Sequence, residues 1–278
     1  MKLQENEKGK ILVLGGTGKT GSRVVERLTK MDWPLRIGSR TAEIPFEWNN
    51  DQSWAPVLKD IDSVYLSFQP DLAVDGAVTI IDRFTRLAGE CGVKKIVLLS
   101  GRGEPEAERC EQIVMDLAGD WTIVRASWFF QNFSESYLLD PILAGMVVLP
   151  VGEVTEPFID AEDIAEVAVA ALTNDLHSKQ LYEVTGPRLM TFQQAVNEIA
   201  QATGREIQFR SVSIADYTVL LKSFEVPEEY VSLLTYLFTE VMDGRSSRLT
   251  YGVERALGRK PNDFTSYVNK AVESGTWK

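Results

Sequence analysis

Residues 11–25 read ILVLGGTGKTGSRVV, and two phosphate-binding chemistries compete for them. Gly18-Lys19-Thr20 is the ending of a nucleoside-triphosphate loop, but that loop requires G-x-x-x-x-G-K-T. Its first glycine would have to be residue 13, which is Val13, inside an apolar run, so a loop wide enough for a triphosphate cannot form. Gly16-Thr17-Gly18-Lys19-Thr20-Gly21 instead satisfies G-x-G-x-x-G, and Gly15, Gly18 and Gly21 also fit G-x-x-G-x-x-G. Either register suits a dinucleotide. The chain turns sharply after a strand, the backbone approaches the pyrophosphate with no Cβ in the way, and the next helix aims its N-terminus at the anion.

The end of the second strand selects the cofactor. A free ribose 2′-hydroxyl calls for Asp or Glu there. The sequence offers Gly38-Ser39-Arg40, with no acid before Glu43. An arginine suits a 2′-phosphate that a carboxylate would repel, and Lys19 can add to the same positive pocket, so NADP(H) is expected over NAD(H).

Proton-transfer groups are sparse. No tyrosine has a lysine four residues on: Tyr267 is followed there by Ala271 and Tyr137 by Pro141. The single histidine, His177, lies in a predicted surface turn and is read as incidental, and no metal-ligand set is present. Ser100, at the end of one strand, and Ser67 and Gln69, at the end of another, fall where the carboxyl edge of a parallel sheet meets its ligand. Trp128, Phe129, Phe130 and Phe133 could line a flat apolar pocket with Asn132 as its polar group, or could simply be core. Quinones and iminium ions accept hydride into an electron-poor π-system with any proton drawn from solvent, so a site lacking a dedicated acid is compatible with them.

The elements that would position these residues follow from periodicity. Apolar runs at 10–15, 34–39, 62–68, 94–100 and 120–127 read as buried strands, with a short one at 44–48. Amphipathic helices follow 10–15 (inner face Val24, Val25, Leu28, Met31), span 74–91, and cover roughly 105–118. Such alternation predicts an α/β protein with a Rossmann-type, doubly wound parallel sheet. Beyond residue 127 come strands at 145–152 and 180–186, a helix at 162–172, and mainly helical sequence after 191. The last helix shows Tyr230, Leu233, Leu234 and Leu237 at helical spacing. Residues 1–150 are expected to form the NADP-binding domain. Residues 151–278 should form a smaller, mainly helical substrate-side lobe, packed on it and partly interleaved.

The composition suits a folded protein: 278 residues, 44% hydrophobic and 25% charged, with a net charge of −11. That acidity argues against nucleic acid as a direct partner. The arginines of 244–260 are interleaved with acids and are read as a solvated helical face. Cys91 and Cys110 are expected as free thiols in a reducing compartment. The first ten residues lack a signal-peptide core, and no apolar run is long enough to cross a membrane, so a cytoplasmic location is expected.

The segments ILVLGGTGKTGSRVV, GVKKIVLLS, WTIVRASWFFQNF, PFIDAEDIAEVAVAAL and YEVTGPRLMTFQQAVNEIAQATGR follow, in order, the pattern of the NmrA-like branch of atypical short-chain dehydrogenases/reductases. The Gly-Lys-Thr loop and the short FEWNND segment resemble its festuclavine/agroclavine dehydrogenase-like members, which reduce iminium intermediates. Other members resemble NADPH-dependent quinone reductases or redox-sensing regulators. The resemblance implies that the glycine loop, Ser39 and Arg40 hold the cofactor, with Trp128 to Asn132 near the nicotinamide. Two departures stand out. The lysine many members carry after the fifth strand falls on Ala107, and the usual Arg-Pro is Arg125-Ala126. Two functions therefore stay open: an NADPH-dependent reductase of a small flat electrophile, or a non-catalytic NADP(H) sensor with a protein partner. A homo-oligomer is compatible with either.

Overall fold

The computed structural model describes residues 8–278; the polar opening segment, residues 1–7, lies outside the described residues. The chain forms two compact units. The first comprises residues up to Ser100, Pro105–Arg125 and Ile164–Tyr182; the second comprises Gly101–Glu104, Ala126–Asp163 and Glu183–Lys278.

The first unit is built on β1 (Ile11–Leu14), α1 (Lys19–Lys30), β2 (Leu35–Gly38), α2 (Trp54–Leu58), β3 (Ser63–Leu66), α3 (Ala77–Glu90), β4 (Lys95–Gly101), α4 (Pro105–Leu117) and β5 (Asp120–Ala126). The strands form a six-stranded sheet ordered β2-β1-β3-β4-β5-β7, with β7 at Gln180–Val184. β1 pairs parallel to β2 and β3, and β3 parallel to β4. All four residues of β1 are buried, as expected for a parallel strand covered on both faces. The order reverses between β1 and β3, the topological switch point at whose carboxyl end ligands bind in such sheets.

Residues 44–48, expected as a strand, form none. Pro45 has no N–H for a ladder. Phe46 is buried edge-on to Phe84, and Trp48 packs against Trp54 and Phe68. Apolar packing under the loop replaces sheet pairing. On α1, Val24 and Leu28 are fully buried as predicted, but Met31 lies just past the helix and is exposed.

The second unit contains α5 (Leu139–Leu143), β6 (Met146–Leu149), α7 (Phe192–Thr203), β8 (Gln208–Ser211), α8 (Ile214–Ser223), α9 (Glu228–Tyr236), α10 (Gly252–Leu257) and α11 (Phe264–Glu273); α6 (Ala161–Thr173) precedes β7. β6 and β8 make a parallel pair. β8, too short and too exposed to show a pattern, was not legible in the sequence. The core is aromatic: Phe130, Phe133, Phe158, Phe192 and Phe264 are fully buried, which assigns Phe130 and Phe133 to the core and not to a pocket wall. Tyr230 on α9 is exposed despite its helical spacing. After α9 the backbone widens into a π-type turn, Leu237–Val241.

Two further expectations are corrected. Within 244–260 only Gly252–Leu257 is helical, and the arginines are paired. Arg259 reaches the fully buried Asp163 at 2.7 Å, and Arg248 reaches Glu183 at 3.0 Å. His177 is buried, not on a surface turn. Its Nδ1 lies 2.9 Å from the Tyr182 hydroxyl, and burial, followed by Lys95, lowers its pKa.

Candidate functional site

Gly15 begins the turn after β1 with a left-handed φ of 66°, and its N–H donates to Gly38 at the end of β2 (3.1 Å). The Gly18 N–H folds back to the Gly15 carbonyl at 2.8 Å. Gly21, in the first turn of α1, packs so closely that a Cβ there would overlap the Gly15 carbonyl oxygen. A Cβ on Gly16 would press on Ile37 at 2.8 Å. These contacts set the loop flat against the sheet and draw α1 close. Gly18 is the N-cap of α1 and no side chain caps the helix, leaving the first-turn N–H groups for an anion. Tyr65 of β3 anchors this start: its buried hydroxyl lies 2.9 Å from Thr20 Oγ1, so the Thr20 side chain is already committed to the fold.

The other residues expected at the cofactor fall into two sets. Ser67 and Gln69, after β3, lie beside the loop. Ser67 Oγ is 3.5 Å from a Cβ built on Gly15, and Gln69 Nε2 is 3.3 Å from one on Gly18. Ser39 is half-buried and Arg40 exposed after β2; Arg40 makes no ion pair among the described residues. Ser100 differs: it is buried and its hydroxyl donates to Glu111 at 2.6 Å. Glu111 also takes the Arg125 Nε–H at 2.8 Å, so Ser100 belongs to a buried ion-pair cluster of the first unit. Ala107, the position at which the resemblance implied a lysine, is fully buried on α4, with no amine there to assist a reaction.

In the second unit Trp128, Phe129 and Asn132 are all half-buried. The Trp128 ring packs edge-on to Phe192 (5.5 Å between centroids) and obliquely on Phe238 (5.3 Å), a residue of the π-type turn. Beside this segment lies a charged cluster that sequence reasoning missed. Arg102, 4% exposed, donates to Glu183 (2.7 Å), to the Ser127 hydroxyl (2.9 Å) and to the carbonyls of Ser246 and Arg248 (3.2 and 3.3 Å). Glu156, 3% exposed, shares the Ser127 hydroxyl. Burial pushes its pKa up to about 7, against the opposing pull of the Ser127 hydroxyl, Arg102 and the Trp128 N–H. Among the described residues no group of His, Cys, Asp and Glu could hold a metal ion.

No protein-family model matches the chain. It is 30% identical to the uncharacterized oxidoreductase YesF of Bacillus subtilis, over 96% of both chains. It is also 30% identical to festuclavine synthase I of Penicillium roqueforti, over 93% of this chain and 96% of that one. The chain belongs to the NmrA-like atypical short-chain dehydrogenases/reductases. Its fold is shared with the NADPH-dependent quinone oxidoreductase QOR2 of Escherichia coli, solved with NADPH (TM-score 0.79, 18% identity, covering 94% of this chain and 99% of that one). Among the described residues no helix of this NmrA-like protein is long and apolar enough to cross a membrane.

Proposed function

We propose that this NmrA-like protein is an NADP(H)-dependent oxidoreductase that reduces a small flat electrophile such as a quinone or an iminium/enone. The observation that carries the reading is the glycine loop between β1 and α1. Its backbone is packed too tightly for any Cβ at Gly21, and it leads into a helix N-terminus without a side-chain cap. A dinucleotide pyrophosphate fits that cradle. Gly15, Gly16, Thr17, Gly18, Lys19 and Gly21 would hold it, with Thr20 serving through its backbone since its hydroxyl is engaged. Ser39 and Arg40, which makes no ion pair among the described residues, would take the 2′-phosphate, and Ser67 and Gln69 the ribose and nicotinamide side. Ser100 supports the fold under that site through Glu111. The bound cofactor supplies hydride. Trp128, Phe129 and Asn132 are the proposed substrate contacts, and the proton comes from solvent.

The oxidoreductase relatives support this reading. A thermal-shift titration with NADPH and NADH tests it first: a ligand at a hundred times its Kd raises stability by ~2.7 kcal/mol. NADPH oxidation against a panel of quinones and iminium compounds tests it second. Cofactor binding with no turnover across the panel would assign the protein to NADP(H) sensing instead.

A further inference from the structure

Residues 156–159 of the second unit run alongside the segment that carries the proposed substrate contacts. Glu156 is anchored first: its N–H donates to the Met190 carbonyl at 2.8 Å, and the Met190 N–H donates back at 3.0 Å. Farther on, the Ile159 N–H donates to the Trp128 carbonyl and the Phe130 N–H to the Ile159 carbonyl, both at 2.8 Å. Phe129 and Ile159 form a parallel bridge, and the register followed back from it brings Glu156 beside Ser127. There the Glu156 carboxyl, 3% exposed, takes the Ser127 hydroxyl and the Trp128 N–H. One short segment therefore holds both polar groups of the Trp128 backbone. It also meets the Trp128 ring's own support, since Phe158 stands edge-on to Phe192 with centroids 4.9 Å apart.

Arg102 gives this arrangement a direction. Its Nη1–H donates to the Ser127 oxygen at 2.9 Å, which leaves the Ser127 proton for Glu156. Every donor then points toward the Glu156 carboxyl, as suits a carboxylate, which only accepts. A protonated Glu156 must donate instead, and with the Ser127 oxygen as its acceptor the Ser127 proton turns away. Around Glu156, the Ser127–Phe129 and Met190 sides bring no ionisable group. The charge that bears on it is Arg102, which is shared with Glu183, itself 3.0 Å from Arg248. Burial pushes Glu156 up to about 7, so the two arrangements exchange near neutral pH. Glutamine could accept the same two bonds with no charge to bury, so the charge is what the glutamate adds. Bonds to a charged acceptor are roughly twice as strong as neutral ones.

We propose that Glu156 is a positioning residue: its carboxylate, with Arg102, fixes the Ser127 hydroxyl and the Trp128 amide, and so holds the Trp128 ring in place for the flat substrate. The proposal rests on the reductase reading above and adds to it a residue that acts through Trp128.

Steady-state NADPH oxidation with duroquinone in wild type and Glu156→Gln tests it across pH. A proton drawn from solvent affects both proteins alike, so the ratio of their KM values isolates Glu156. The ratio should be near one at about pH 6, where wild type is mostly protonated. At about pH 8 the variant's KM should be roughly 3- to 10-fold higher, with kcat changed by less than about twofold. A carboxyl that served only the fold would not produce a variant with weaker substrate binding and a sturdier structure at the same pH. The emission of Trp128, taken as the difference between each protein and its Trp128→Phe counterpart, is followed in parallel. It should shift between those pH values in wild type and hold still in Glu156→Gln. A KM ratio that is flat with pH, or a Trp128 emission that fails to shift in wild type or shifts equally in the variant, overturns the proposal. Emission that follows Glu156 while no quinone or iminium compound is reduced sinks the reductase reading and keeps the clamp on Trp128. Turnover of duroquinone with a flat KM ratio and unmoved emission does the reverse.

Discussion

Replacing Glu156 by glutamine separates the charge of this buried carboxyl from its shape. Burial raises its pKa from an ordinary 4.5 to about 7 in the folded protein. Between those values the folded state keeps a proton that the unfolded chain releases, so this group's contribution to stability falls as pH rises through that window. Below it both states are protonated and the cost vanishes. Above it both are ionised and the full cost persists. A difference of about 2.5 in pKa at ~1.4 kcal/mol each corresponds to ~3 kcal/mol. Glutamine keeps an acceptor oxygen for the Ser127 hydroxyl and the Trp128 N–H, and Arg102 keeps Glu183 as its anion. The stability of Glu156→Gln relative to wild type should therefore be near zero at about pH 4. It should climb to ~3 kcal/mol in the variant's favour by about pH 8. Urea unfolding at a series of pH values, followed by tryptophan fluorescence, measures the difference directly. A flat difference across that range, or a variant less stable than wild type at about pH 8, would refute the reasoning. It would mean that Arg102 holds Glu156 as an ion pair whose attraction exceeds the cost of burial.

Arg40→Asp places an anion where the 2′-phosphate is proposed to lie. NADPH affinity in a fluorescence titration should fall by roughly 10- to 100-fold while NADH affinity holds or improves; an unchanged NADPH preference would move the phosphate elsewhere. Gly21→Ala forces a methyl against the Gly15 carbonyl and should cost ~1–3 kcal/mol in thermal unfolding along with the gain in stability on adding NADPH. Wild-type values for both would show that the loop yields. Glu111→Ala leaves Arg125 and the Ser100 hydroxyl without their shared acceptor, and urea unfolding should show a loss of ~3 kcal/mol. A loss under ~1 kcal/mol would mean that Glu108, 3.5 Å from Arg125, takes over.

The sheet was legible because parallel strands buried on both faces are nearly unbroken apolar runs, and β1, β3 and β4 are such runs. The glycine turn was legible because its residues are contiguous and their spacing is itself the geometry. Residues 44–48 misled for a related reason: aromatic alternation looks the same whether the side chains face a sheet or plug a loop. The Arg102 cluster gave no signal. Its partners Glu183 and Ser246 lie 81 and 144 residues away, and only the folded backbone brings them to one guanidinium.

Because residues 44–48 form no strand, β2 is left as an outer strand of the sheet, a place where a second chain could add itself and begin aggregation. The protein keeps that strand to four residues, Leu35–Gly38. It also turns the charge of Arg36 to local use, donating to the carbonyls of Val57 and Lys59 at 2.8 and 2.7 Å. A longer edge strand could have drawn Ser39 and Arg40 into a ladder. Ending the strand at Gly38 protects the edge and leaves both residues in a loop at the mouth of the sheet, where a ligand can reach them.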